Sequence, residues 1–285
     1  MGIKFGPAGN SKSFFEMGYK HALDVPEYLT KVGLNAFEYQ CGRGVNIGEE
    51  KARQFGEKAR SAGITLSLHA PYYISMSSID EEKRLNSINY ILSSARAANA
   101  MGADRIIVHT GSCGKISREK ALELAKDTMR LSIDALDSEN LSHIHICPET
   151  MGKVNQLGTL DEVLSLCELD ERLIPCIDFG HLNARDLGLF KTFADYETVF
   201  SAIGNRLGIE RLKAFHSHFS KIEYTAGGEK RHLTFADTVY GPDFEPVMEL
   251  AYKYCDNTRF ICESDGTQAE DAKQMKDYYE NLKTE

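Results

Sequence analysis

Short runs rich in β-branched and aromatic residues alternate with longer amphipathic stretches eight times along the chain. The strand-like runs cover 3–6, 35–41, 64–69, 105–109, 143–149, 174–178, 211–216 and 259–263. Apolar positions at helical spacing mark stretches near 25–32, 48–62, 83–101, 117–137, 159–168, 192–206, 243–255 and 268–283. Boundary signals agree with this division. Ser117 and Asp161 stand just before or within a first turn, and Pro242 precedes the seventh stretch. Gly33, Gly63 and Gly102 sit where helices should end. Strands separated by helices pair in parallel through right-handed crossovers. Eight such units predict one closed (β/α)8 barrel, a TIM barrel, with residues 1–285 forming a single domain. An open doubly wound sheet is the runner-up. It usually carries a glycine-rich phosphate loop after its first strand, and Gly6-Pro7-Ala8-Gly9 does not match that pattern.

The polar residues fall at particular places in this scheme. The third to sixth runs close on His69, His109, Glu149 and Asp178, with His181 three residues on. The seventh closes on His216 and the eighth on Glu263. In a barrel those ends converge on the face where barrel enzymes carry their chemistry. Taken singly, each has a plainer use: a satisfied core histidine, or a helix N-cap in the case of Asp178. Six consecutive strands ending this way are a poor recipe for packing, because each polar group buried without a partner costs roughly 2–7 kcal/mol. A cluster of divalent ions offsets that cost. Imidazole nitrogens and carboxylate oxygens without thiolates suit zinc or manganese rather than a structural cysteine-type zinc site. His143 and His145 read as barrel filler or as supports behind the ligands, and His21 as an exposed side chain. His218, two residues after His216, is an alternative inward-facing ligand. His232 follows 227–231, read as a mobile loop.

Composition narrows the setting. The 285 residues include 33 basic and 42 acidic ones, a net charge of −9, so a global basic field for coating nucleic acid is absent. Local basic loops and bound cations still permit a nucleic-acid enzyme. The seven cysteines form no C-x-x-C pair and read as reduced thiols of a cytoplasmic protein. The first residues begin a strand rather than a leader, and no apolar run is long enough for a membrane span.

The motifs in order resemble those of the endonuclease IV family, the type 2 apurinic/apyrimidinic endonucleases. Leu68-His69-Ala70-Pro71-Tyr72 is similar to its first histidine segment, and Val108-His109-Thr110-Gly111-Ser112 to its H-x-G-S. Pro148-Glu149-Thr150-Met151-Gly152 resembles the stretch whose glutamate bridges two metals. Cys176-Ile177-Asp178-Phe179-Gly180-His181 resembles C-x-D-x-x-H, and His216 with Lys221 resembles H-x-x-x-x-K. Glu263 takes the last carboxylate position. The resemblance implies one zinc on His69, His109 and Glu149, and a second on Glu149, Asp178, His216 and Glu263. A third would use His181 and His232, but Lys230 stands where the family has aspartate. Either Glu229 or His218 replaces it, or that site is weak or empty. The implied reaction is metal-assisted phosphodiester hydrolysis of DNA 5′ of an abasic site, in base excision repair, by a monomer. Glu149 and Glu263 are the catalytic carboxylates in this reading, and manganese is the other candidate ion. Tyr72 matches an aromatic of the DNA-contacting loop or else packs on the rim. Arg43 matches a basic residue that enters the minor groove, and Lys221, Lys230 and Arg231 form a candidate phosphate patch. The competing reading is a single-metal sugar isomerase or epimerase of the xylose-isomerase-like barrels, for which Glu149, Asp178, His216 and Glu263 would suffice. A barrel that binds nucleic acid without catalysis is the third.

Overall fold

A computed structural model describes residues 2–284. Its strands are β1 (Lys4–Pro7), β2 (Ala36–Gln40), β3 (Thr65–His69), β4 (Arg105–Val108), β5 (His145–Pro148), β6 (Cys176–Asp178), β7 (His216–Phe219), β8 (Ile222–Thr225), β9 (Gly228–His232) and β10 (Arg259–Cys262). Parallel pairing builds two half-barrels, β2-β3-β4-β5 and β6-β7-β10-β1. Single parallel bridges, Ala8 with Glu38 and Glu149 with Cys176, close the ring. The helices are α1 (Lys12–Glu16), α2 (Val25–Val32), α3 (Glu49–Ser61), α4 (Glu81–Met101), α5 (Arg118–Ser138), α6 (Leu160–Cys167), α7 (Phe179–Arg185), α8 (Phe193–Leu207), α9 (Ile209–Ala214), α10 (Glu245–Tyr254) and α11 (Gln268–Asn281). The (β/α)8 barrel expected from the pattern is what the chain forms. No helix among the described residues is long and apolar enough to cross a membrane.

Strand parity sorts the side chains into two compartments. Phe37 and Tyr39 of β2 meet Phe55 of α3, so Ala36, Glu38 and Gln40 face the lumen. Phe219 of β7 packs against Phe179 and Phe235, which turns His216 and His218 inward. The main apolar core lies between strands and helices, while the lumen holds two small apolar groups among the described residues. One is Ile107, Cys147, Ile174 and Cys176; the other is Ala8, Ala36 and Ile261. The rest of the lumen is polar.

Two elements differ from the sequence reading. Residues 211–216 alternate like a strand, but Ile209–Ala214 is a helix with Leu212 buried beneath it. Arg211 ties this helix down by donating to the Leu207 and Cys167 carbonyls, at 3.0 and 2.6 Å. The seventh strand therefore starts at His216 rather than ending there. The segment 227–231, read as a loop, belongs to the antiparallel hairpin β8–β9. His143 is exposed on Asn99, and His145 lies level with Arg105 at the opposite end of the barrel on the Arg172 carbonyl, so neither supports the site.

The N-terminal end of the barrel is plugged by arginine. Arg259 donates to the Leu66 carbonyl at 3.0 Å and to Asp104 at 2.7 Å, and Arg105 donates to the Ala214 carbonyl at 3.3 Å. Burial would raise the Asp104 carboxyl, but the Arg259 and Arg105 charges outweigh it and hold it at about 2. Asp104→Asn should cost about 1–3 kcal/mol of unfolding free energy at pH 7, because buried Arg259 loses its charged partner and one of its two acceptor oxygens. The unfolded carboxyl titrates near 4. The wild-type advantage is therefore complete above that pH and shrinks as pH falls towards 2. Denaturant melts of both proteins across this range check it; a difference independent of pH would contradict it.

Candidate metal centre

At the C-terminal end of the barrel lie three adjoining groups, within each of which the potential ligand atoms lie within 4.8 Å of one another. The first is His69, His109 and Glu149. The second is Glu149, Asp178, His218 and Glu263. The third is His181, Glu229 and His232. Glu149 is common to the first two, and the third adjoins them because His181 Nδ1 lies 3.5 Å from Glu149 and 3.2 Å from Asp178.

Hydrogen bonds fix how several rings present themselves. His69 Nδ1 lies 2.9 Å from the Ala70 carbonyl, which makes it the N–H side and leaves the Nε2 lone pair free. That Nε2 stands 3.4 Å from Glu149 Oε2, and His109 Nε2 stands 3.1 Å from the same oxygen. His181 Nδ1 contacts the Thr150 carbonyl at 2.9 Å, so its Nε2 faces Glu229 Oε2 at 3.5 Å. His232 Nδ1 meets Ser220 Oγ at 2.9 Å. A lone pair aimed at a carboxylate oxygen is repulsive unless a proton or a metal cation lies between them.

The carboxylates carry the same message. Glu149 Oε2 and Asp178 Oδ2 are buried and accept no hydrogen bond. Burial raises the Asp178 carboxyl, and Glu263 and Glu149 raise it further. Burial acts on Glu149 in the same sense. There the His218 charge and the contacts of His109, His181 and His218 prevail and hold it well below the usual carboxylate range. Buried acceptor oxygens and imidazole nitrogens turned towards them, with no cysteine in these three groups, fit divalent cations of the zinc or manganese kind. Asp178 serves two purposes: Oδ1 accepts the His181 backbone N–H at 2.7 Å as the N-cap of α7, and Oδ2 faces the cluster.

The positions singled out in the sequence are distributed as follows. His69, His109, Glu149, Asp178, His181, His232 and Glu263 all fall within the three groups. His216 does not meet Glu149, Asp178 or Glu263, and the place expected for it is occupied by His218. The cause is the slipped strand boundary. His216 opens β7 one lumen layer deeper, level with Cys176 and Arg259, and contacts Glu38 at 3.0 Å. Burial lowers its imidazole to about 4.

Glu229 stands in the third group, where the resemblance anticipated aspartate. Residues three apart on a regular strand face opposite ways, but the ladder skips Lys230: Arg231 pairs with Glu223 and Glu229 with Tyr224. This bulge returns Glu229 and His232 to one face. The hairpin is seated by Glu229 N–H donating to the Gly152 carbonyl at 3.0 Å and by Gly228 at φ +87°. A side chain on Gly152 would strike Glu229 and His181 at 2.6 and 2.8 Å.

Tyr72 is 57% exposed, with its ring 5.2 Å from that of His109 and 5.4 Å from that of His69. It also packs so closely on Gly42 that an added Cβ would lie 2.4 Å from the ring. Arg43 is exposed in the adjoining turn. Lys221 is engaged inside the protein, donating to the Asp237 carbonyl at 2.6 Å, and Arg231 and Lys230 both bond Glu223 at 2.6 Å. The sequence reading missed Glu38. Its signal was a carboxylate on the opposite parity from two aromatic residues in a lumen strand.

Sequence and fold comparisons agree with this architecture. An uncharacterized protein of Methanocaldococcus jannaschii, MJ0133, is 34% identical over 259 residues, which is 91% of either chain. A protein of Mycoplasma pneumoniae named probable endonuclease 4 is 31% identical over 182 residues, covering 62% of this chain and 60% of its own. Among solved structures, endonuclease IV from Thermus thermophilus superposes with a TM-score of 0.67 at 17% identity, over 99% of this chain and all of its own. A D-tagatose 3-epimerase-like protein gives 0.71 at 18%, over the whole of both chains. These two likenesses speak for the fold alone. Residues 26–284 match the sequence model of the xylose isomerase-like TIM barrel family, and the chain belongs to that family.

Proposed function

We propose that this protein is a metal-dependent phosphodiester hydrolase that incises DNA 5′ of abasic sites. The observation that carries the reading is the contiguity of the three groups through Glu149, His181 and Asp178. A sugar isomerase or epimerase has use for one ion, and Glu149, Asp178, His218 and Glu263 would hold it. His69 with His109, and His181 with Glu229 and His232, would then have no task. Similarity to proteins named endonuclease 4 points the same way.

Bound divalent ions, zinc in our reading, supply Lewis acidity that lowers the pKa of water and neutralises phosphoryl charge. The protein's part is arrangement. Glu149 holds the first two groups in register from a buried strand end. Asp178 and Glu263 contribute the negative charge that retains cations, and the Nδ1 contacts of His69, His181 and His232 keep their rings from turning. Tyr72 offers an exposed aromatic face beside the histidine pair for an unstacked base or sugar, and Arg43 offers a cation for backbone phosphate. Lys221, Arg231 and Lys230 are already paired, so phosphate recognition falls mainly on the ions and Arg43.

Elemental analysis of protein purified without chelators should find three divalent ions per chain, with nicking of an abasic duplex by the same sample. Glu149→Gln should lose two ions and slow nicking by about 10²–10⁴-fold, the scale of several kcal/mol of lost charge stabilisation. His232→Ala should lose one ion. One ion per chain, no nicking and turnover of a ketose would overturn the proposal in favour of the epimerase reading.

Binding of the metal-loaded protein to the same duplex should depend weakly on salt, with a log–log slope of about −1 to −3, for roughly one to three neutralised phosphates. A titration series in potassium chloride measures it. A slope steeper than about −6 would mean a basic footprint that these residues do not form.

A further inference from the structure

We infer that Glu38 is the residue that positions His218, presenting its Nδ1 to the cation cluster, and that His216 braces Glu38 from below. The inference rests on the metal reading of the site but not on DNA as the substrate.

Glu38 is fully buried on β2, and its lumen-facing parity is fixed by Phe37 and Tyr39 packing outward on Phe55. Its two oxygens face two imidazoles: Oε1 lies 2.9 Å from His218 Nε2, and Oε2 lies 3.0 Å from His216 Nε2. Ser67 Oγ donates to Oε2 at 2.9 Å and Gln40 Nε2 donates to Oε1 at 3.3 Å, so the carboxylate is held from both sides. On the far edge of the His218 ring, Nδ1 is 2.9 Å from Glu149 Oε1 and 3.6 Å from Glu263 Oε2.

An imidazole can offer a lone pair from one nitrogen only when the other carries the proton, and a partner for that N–H selects which. Glu38 is the carboxylate facing Nε2, at 2.9 Å, while Nδ1 lies equally close to Glu149 Oε1. A cation between Nδ1 and Glu149 would drive the ring proton to Nε2, where Glu38 is the acceptor that receives it, and Nδ1 becomes the ligand atom. Such a carboxylate also increases the donor strength of the ring. A buried charge that served packing alone would be a poor choice, because desolvation costs several kcal/mol per ion. His216 is the deeper neighbour, its fully buried ring packed with Nε2 3.0 Å from Oε2. The pair of histidines two apart on β7 is thereby explained: one reaches the cluster, the other supports the support.

The Cys176 thiol lies in the same pocket and offers a rival arrangement. Its Sγ and ring nitrogens of His216 and His218 are within 4.8 Å of one another. An inner ion on that trio would take His218 away from the upper cluster. The two accounts separate experimentally.

The test is a titration of the metal-free full chain with Zn²⁺ against a chromophoric chelator, for wild type, Glu38→Gln, Glu38→Leu, His218→Ala, Cys176→Ser and the His218→Ala/Glu38→Leu double variant. Glu38→Leu should weaken one zinc site by about 10–100-fold and leave the others unchanged. Glu38→Gln retains the shape and an acceptor oxygen, so its loss should be smaller. The double variant should bind zinc no more weakly than His218→Ala, because the support has nothing left to hold. Equal weakening of every site, or additive losses in the double variant, would reduce Glu38 to a packing residue and overturn the inference. Loss of an ion in Cys176→Ser would overturn it in favour of the inner site. Wild type that binds no zinc would remove the metal reading itself. Zinc binding without nicking of DNA would sink only the proposed substrate.

Discussion

Crowding of buried carboxylates at one end of the barrel is the constraint on which the rest depends. Glu149, Asp178 and Glu263 surround a single imidazole edge, and Glu38 faces its other edge. In a low-dielectric interior such a group repels itself unless positive charge is brought in. The barrel can carry this load because its apolar core lies elsewhere, between strands and helices, around Phe5, Phe37, Leu68, Phe219 and Phe260. The lumen is thus free to be polar, with arginines at the bottom and a histidine–carboxylate cluster at the top.

The third group depends on a longer chain of supports. Glu229 and His232 ride on a hairpin that leans on residues 152–154. That segment is held in turn by arginine forks. Arg185 donates to the carbonyls of Met151, Lys153, Val154 and Gln156, and Arg118 donates to those of Val154 and Gln156 while pairing with Glu162. Loop carbonyls without helical or sheet partners are satisfied in this way. The residues of the first two groups come directly from strand ends and need no such scaffold. This difference makes the third group the easier one to lose or retune without disturbing the fold.

Much of this was legible in the chain. Seven of the eight barrel strands lie within a few residues of their apolar runs, and His69, His109, Glu149, Asp178 and Glu263 come together because strand ends converge. The failures share one cause: parity on short strands is decided by tertiary packing. Ile209–Ala214 alternates like a strand, yet Arg211 finds helix carbonyls and Leu212 a buried face, so β7 begins later and the histidine grouped with Glu149, Asp178 and Glu263 is His218 rather than His216. Glu229 could be weighed but not assigned, because a bulge at Lys230 restores its facing and nothing local announces a bulge. Glu38 was overlooked because a glutamate between two aromatics looks like solvent-facing alternation. Only closure of the barrel makes that face an interior.

The central claim is that Glu149 joins two cation positions in one cluster. Anomalous X-ray scattering from crystals of zinc-loaded protein tests it most directly. The account predicts two peaks about 3.5–4 Å apart with Glu149 between them, and a third among His181, Glu229 and His232. A single peak held by Asp178, His218 and Glu263, with His69 and His109 bare, would contradict it.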